Sequence, residues 1–155
     1  MPYAEGRIYN DADAHIMEQV DWLSGYADAK TRAMLRPLDL SRTGNMAAEF
    51  AHTGKFDDRH WEEVDIEKNL MLIKGWAALG AFDQSERIRA LDLLGFNRQL
   101  VFPSVATGQF WGLFEQREHD LDLIYGGTAA LNRAIADFCK GDRRVIPVGF
   151  RADDF

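Results

Sequence analysis

The chain has almost no cysteine: Cys139 is the single one in 155 residues. An internal disulfide is thereby excluded, and a reducing, cytoplasmic setting is expected. Basic charge is also short, with 18 Lys and Arg against 25 Asp and Glu and a net charge of −7. That balance argues against a nucleic-acid partner, which is held by clustered cations that neutralise phosphates. No run approaches the roughly 20 apolar residues that cross a bilayer, so no membrane partner is expected. The opening residues, Met1 to Gly6, lack the basic-then-apolar layout of a signal peptide. No G-x-G-x-x-G follows a strand, which discounts a dinucleotide site. Internal repeats and low-complexity tracts are absent as well.

What remains is an ordinary globular composition, 46% hydrophobic and 28% charged, long enough for one domain with its own core. The C-terminal half reads most clearly. Asp83-Gln84-Ser85-Glu86 has a capping-box layout. Ile88, Leu91 and Leu94 follow at helical spacing, and Gly95 supplies a left-handed stop. The interleaved charges of Glu86-Arg87-Ile88-Arg89 read as a solvated helix face. Gln99 to Phe102 is a short buried strand ended by Pro103.

The same pattern then repeats. Thr128 is a candidate N-cap, Ala130, Leu131, Ala134, Ile135 and Phe138 form an apolar stripe, and Gly141 closes the helix. Cys139 belongs to that stripe and reads as a packed thiol. A strand over Arg144 to Phe150 follows, with Pro147 as a mild objection to it. Helix and strand alternating with short connections predict parallel βαβ units and an α/β class. The stretch from Pro103 to Gly127 reads as a long loop carrying Phe110, Trp111, Phe114 and Tyr125, at the strand ends where functional loops of such folds lie. Glu62 through Leu79 reads as a helix, and Pro37 to Asp58 as an irregular excursion.

The chemistry concentrates near the N-terminus, in Asp11-Ala12-Asp13-Ala14-His15. On an extended strand alternate side chains share a face, which predicts that Asp11, Asp13 and His15 point the same way. Carboxylate oxygen and neutral imidazole nitrogen are ligands for zinc or manganese; the bland alternative is an Asp-rich surface turn beside a solvated His. Glu18 either orients a ligand or caps a following helix. Trp111 and Phe110 either line a substrate pocket or pack the long loop down. Arg151 either meets a substrate carboxylate or is simply exposed. His52, His60 and His119 read as exposed or satisfied histidines, and Asp11 as a structural acceptor.

Three passages carry a resemblance. They are Asp11 to Glu18, the run from Lys74 to Asp83 continuing through Arg89–Phe96 to Gln99–Pro103, and Leu131 to Cys139 followed by Arg144 to Val148. In that order they resemble the amidohydrolase-related family of metal-dependent hydrolases and decarboxylases, which includes aminocarboxymuconate-semialdehyde decarboxylase. The resemblance implies a (β/α)8 barrel, of which residues 1–155 cover the N-terminal part: the first three strands with their helices and a long inserted helical segment. It implies Asp13 and His15 as ligands of a zinc or manganese ion, with a His and an Asp from later strands completing the site. It also implies a small-molecule carboxylate, amide or ester substrate, and a homo-oligomer when complete. The chain alone is then expected to be inactive and to bind metal loosely; the alternative is a non-catalytic truncated half-barrel serving as an assembly or interaction module.

Overall fold

A computed structural model of the chain describes residues 4–40, 70–110 and 120–152. Among them the fold is mixed α/β, with a parallel sheet of three strands in the order β1-β2-β3. These are β1 (Asn10–His15), β2 (Arg98–Phe102) and β3 (Val145–Pro147). Three α-helices accompany them: α1 (Ala29–Met34), α2 (Gln84–Leu94) and α3 (Leu121–Cys139). Because the strands are parallel, the segments after His15, Phe102 and Pro147 emerge at one end of the sheet.

Helix α2 starts and stops where its sequence dictates. The Asp83 carboxylate accepts from the Glu86 amide at 2.9 Å, and Gly95 takes a left-handed φ of 73°. Its interior face departs from expectation: Arg87 is buried beside Ala90 and Leu91, so this charge is not on the solvated side. The guanidinium lies 5.6 Å over the Phe138 ring, where its long stem completes the apolar stripe.

The N-cap of helix α3 lies eight residues before the expected Thr128. Asp120 is the actual N-cap, accepting from the Leu123 amide at 3.2 Å, and Thr128 is buried in the helix interior. Gly126 and Gly127 suggest a loop, but here they are contact points. A Cβ on Gly127 would sit 2.4 Å from the Phe110 ring, and one on Gly126 would meet Thr31 of α1. Close packing thus overrides weak helix propensity. The expected long loop shrinks accordingly, with a 3-10 turn over Ala106–Gln109 and the helix running from Leu121. At the other end Gly141 is no left-handed stop; the Gln84 side-chain amide donates to the carbonyls of Asp137 and Phe138 at 3.0 and 2.7 Å.

The main core lies between the sheet and its two long helices: Ala14, Ile16, Val101 and Val145 meet Leu91 of α2 and Ile135, Phe138 and Cys139 of α3. Burial pushes the Cys139 thiol up to about 11, which keeps it protonated and inert. A second cluster packs Leu23, Ala106 and Phe110 on Leu131 and Ala134.

The helix expected over Glu62–Leu79 is not seen in 70–79, where a 3-10 turn spans Gly75–Ala77; residues 62–69 lie outside the described residues. So do 41–58 of the irregular excursion, together with Trp111, Phe114, His52, His60 and His119. Among the described residues no helix is long and apolar enough to cross a membrane.

Candidate functional site

The first strand does not alternate as a regular strand does. Asp11 pairs with Gln99 and Ala14 with Val101, so three residue steps on β1 face two on β2: a β-bulge. The extra residue puts Asp11 on the helix-covered face with Gln99. Asp13 and His15 are left on the opposite face, away from the core residues Ala14 and Ile16. The expectation that all three point together is therefore corrected, and the bulge is the physical reason.

On the covered face Asp11 is an acceptor. Its carboxylate takes a bond from the Gln99 amide at 2.9 Å and another from the Asp13 backbone N–H at 3.0 Å, which holds the bulge. The Gln99 carbonyl oxygen accepts from Arg87 at 3.4 Å, and the other end of the guanidinium donates to the His15 carbonyl at 2.6 Å. Burial lowers the Arg87 pKa to about 10, while the charge of Asp11 works the other way. The strand end beneath the open-face pair is thereby clamped from behind.

On the open face the Asp13 carboxylate is 91% exposed and lies 3.3 Å from Nε2 of His15, whose side chain is 39% exposed. The imidazole packs against Phe102 with ring centroids 5.8 Å apart. Its other nitrogen, Nδ1, is 3.2 Å from the Pro103 carbonyl. A carbonyl only accepts, so Nδ1 must carry a proton to bond it. In the neutral ring one proton serves two acceptors, and magnitudes decide where it goes. Pro103 is buried, and a buried acceptor left without a donor costs about 1–3 kcal/mol. A contact to a solvated carboxylate is worth at most about 1 kcal/mol. With the Nδ1 proton on the Pro103 carbonyl, the Nε2 lone pair would face the Asp13 oxygen. A lone pair and a carboxylate oxygen at that separation can share a cation.

Glu18 sits three residues on and is fully buried. Its two carboxylate oxygens accept from the backbone N–H groups of Ser104 and Val105 at 2.6 and 3.0 Å. Burial raises its pKa, and those amide bonds offset only part of the rise. Nearby, Ser104 Oγ donates to the Ile16 carbonyl at 2.8 Å, and the Trp76 indole donates to the Glu18 carbonyl at 2.9 Å. The segments after β1 and β2 are thus stitched together beside His15. Glu18 does not cap a following helix.

Of the residues singled out from sequence, Asp13 and His15 meet at this strand end, and Glu18 reaches His15 only across the Pro103–Ser104 peptide. Phe110 is buried in the second cluster, so it packs the chain instead of lining an open pocket. Arg151 is exposed on the coil after β3, and Trp111 lies outside the described residues. Sequence reasoning took Pro103 only as a strand stop and missed Ser104; their place directly after a strand in a parallel sheet was the available signal. It also missed Arg87 and Gln99. Among the described residues no three His, Cys, Asp or Glu side chains gather into a metal-binding group. No family model, curated protein or solved structure matches the chain.

Proposed function

We propose that Asp13 and His15 are the first-strand half of a zinc or manganese centre in an amidohydrolase-related enzyme. The parallel sheet is then the opening portion of a (β/α)8 barrel. The reaction is hydrolysis, or non-oxidative decarboxylation, of a small carboxylate, amide or ester substrate. One observation carries this reading: a carboxylate oxygen of Asp13 and Nε2 of His15 stand 3.3 Å apart at the C-terminal end of a parallel strand. Two donors about 2.1 Å from one tetrahedral ion are about 3.4 Å apart, so the separation of the pair is compatible with two ligands of one ion.

A bound divalent ion supplies Lewis-acid polarisation of a water or carbonyl, or anchors a substrate carboxylate. Asp13 contributes the anionic oxygen and His15 the neutral nitrogen, a donor set that suits manganese and zinc alike. Pro103 fixes the ring, and Phe102 gives it an apolar wall. The resemblance supplies a His and an Asp as the further ligands; with Asp13 and His15 alone, binding is weak.

Titration of the full chain with Mn2+ and with Zn2+ tests the reading. Weak but saturable uptake is expected, reduced at least about tenfold further in both Asp13→Asn and His15→Gln. Equal affinity in all three chains, or no uptake by the unaltered one, overturns it. A second reading, an assembly module, is favoured by β1 and β3 being the outer strands among the described residues. Absence of metal uptake combined with concentration-dependent self-association supports that reading instead.

A further inference from the structure

The contacts of Glu18 and His15 meet on one peptide group. Glu18 accepts from the N–H of Ser104 at 2.6 Å, and Nδ1 of His15 lies 3.2 Å from the carbonyl of Pro103. That N–H and that C=O belong to the same peptide bond, and no peptide among the described residues is cis. In a trans peptide the two groups point in opposite directions, so the carboxylate and the imidazole flank one peptide plane.

We propose that Glu18 is a positioning residue for His15, acting through the Pro103–Ser104 peptide. The arrangement is a relay of carboxylate, peptide and imidazole. In its ionised form, the Glu18 carboxylate bonded to the N–H polarises the amide and makes its carbonyl oxygen a stronger acceptor, because hydrogen bonds in series reinforce one another in a low-dielectric setting. The strengthened acceptor holds the imidazole proton on Nδ1 and leaves Nε2 as the electron-rich nitrogen facing Asp13. A carboxylate that touches a ligating histidine directly does the same for other metal sites. Here the carboxylate is one peptide removed and fully buried, where water cannot screen it. The second oxygen, bonded to the Val105 N–H at 3.0 Å, fixes the carboxylate plane. An apolar side chain at this position would leave the Ser104 and Val105 amides without acceptors, so the carboxylate anchors the loop as well. The functional meaning of the relay rests on His15 being a ligand, whereas its geometry does not.

The test reads the tautomer of the neutral His15 ring by its nitrogen-15 and carbon-13 NMR shifts, in full-length chain kept metal-free with chelator, above the imidazole titration range. The unaltered chain is expected to be mainly Nδ1–H. In Glu18→Gln the ratio of Nδ1–H to Nε2–H should fall about fivefold, the equivalent of about 1 kcal/mol, the net worth of one hydrogen bond. Ser104→Ala loosens the same segment by removing the Oγ bond to Ile16 but leaves the peptide relay in place, so its ratio should not move. A ring that is mainly Nε2–H in the unaltered chain overturns the proposal, as does an equal shift in both variants, which would mean simple loop anchoring. Should Glu18→Gln fail to fold, two readings in the unaltered chain decide: Nδ1–H at His15 and a strongly downfield Ser104 amide proton support the relay, and the lack of either overturns it. Because no metal is read, an Nδ1–H ring in a chain that takes up no ion sinks the metal reading and leaves the relay standing.

Discussion

Gly80→Ala is expected to destabilise the chain by at least about 3 kcal/mol in urea unfolding, enough to consume much of a small domain's stability. Two independent costs add. Gly80 has a φ of 74°, where an L side chain is strained by about 1–2 kcal/mol. A Cβ there would also lie 2.5 Å from the Arg87 Cα and 2.6 Å from its backbone nitrogen. Those are backbone atoms of a capped helix and cannot rotate away. Gly75 separates the two costs, since its φ is 67° but nothing lies within 4 Å of its would-be Cβ. Gly75→Ala should therefore cost only the strain, about 1 kcal/mol. The effect reaches the site, because Ala81 beside Gly80 accepts from the Met17 amide at 2.7 Å, between His15 and Glu18. Equal losses at the two glycines would contradict this packing of the Gly80 turn on α2.

Arg87→Ala should cost about 3 kcal/mol, by removing a charged donor from the His15 carbonyl and leaving a cavity beside Phe138. Arg87→Met keeps the stem packed and removes a buried charge, so the loss should be about 1 kcal/mol. Urea unfolding of both variants checks this. A loss for Arg87→Ala within about 0.5 kcal/mol of the unaltered chain, the range of an ordinary surface change, would mean that the guanidinium is solvated after all.

Arg87 also shows where the sequence stops being readable. Flanked by Glu86 and Arg89, it carries the signature of a solvated face, and only the strand end opposite α2 reveals carbonyls waiting for a donor. Local signals were legible where local physics decides, as in the Asp83 cap, the Gly95 stop and the short β2 strand. They failed where a distant contact decides. Thr128 is a good N-cap residue, yet the helix continues N-terminally because Phe110 and Thr31 fill the space above Gly127 and Gly126. The bulge in β1 is the most consequential case for the site. Alternation places Asp11 with Asp13 and His15, whereas pairing of Asp11 with Gln99 moves it to the other face. The candidate site itself was half legible: residue types drew attention to Asp13, His15 and Glu18, but the Pro103–Ser104 peptide that joins them is backbone and leaves no mark in composition.

The central claim is that Nε2 of His15 and the carboxylate of Asp13 share one cation, and electron spin-echo spectroscopy of Mn2+ bound to nitrogen-15 histidine-labelled chain tests it most directly. The account predicts a single imidazole nitrogen coupled to the manganese, with the coupling abolished in His15→Gln and kept when His52, His60 or His119 is replaced. A coupling that survives in His15→Gln, or bound manganese with no imidazole coupling at all, would contradict it.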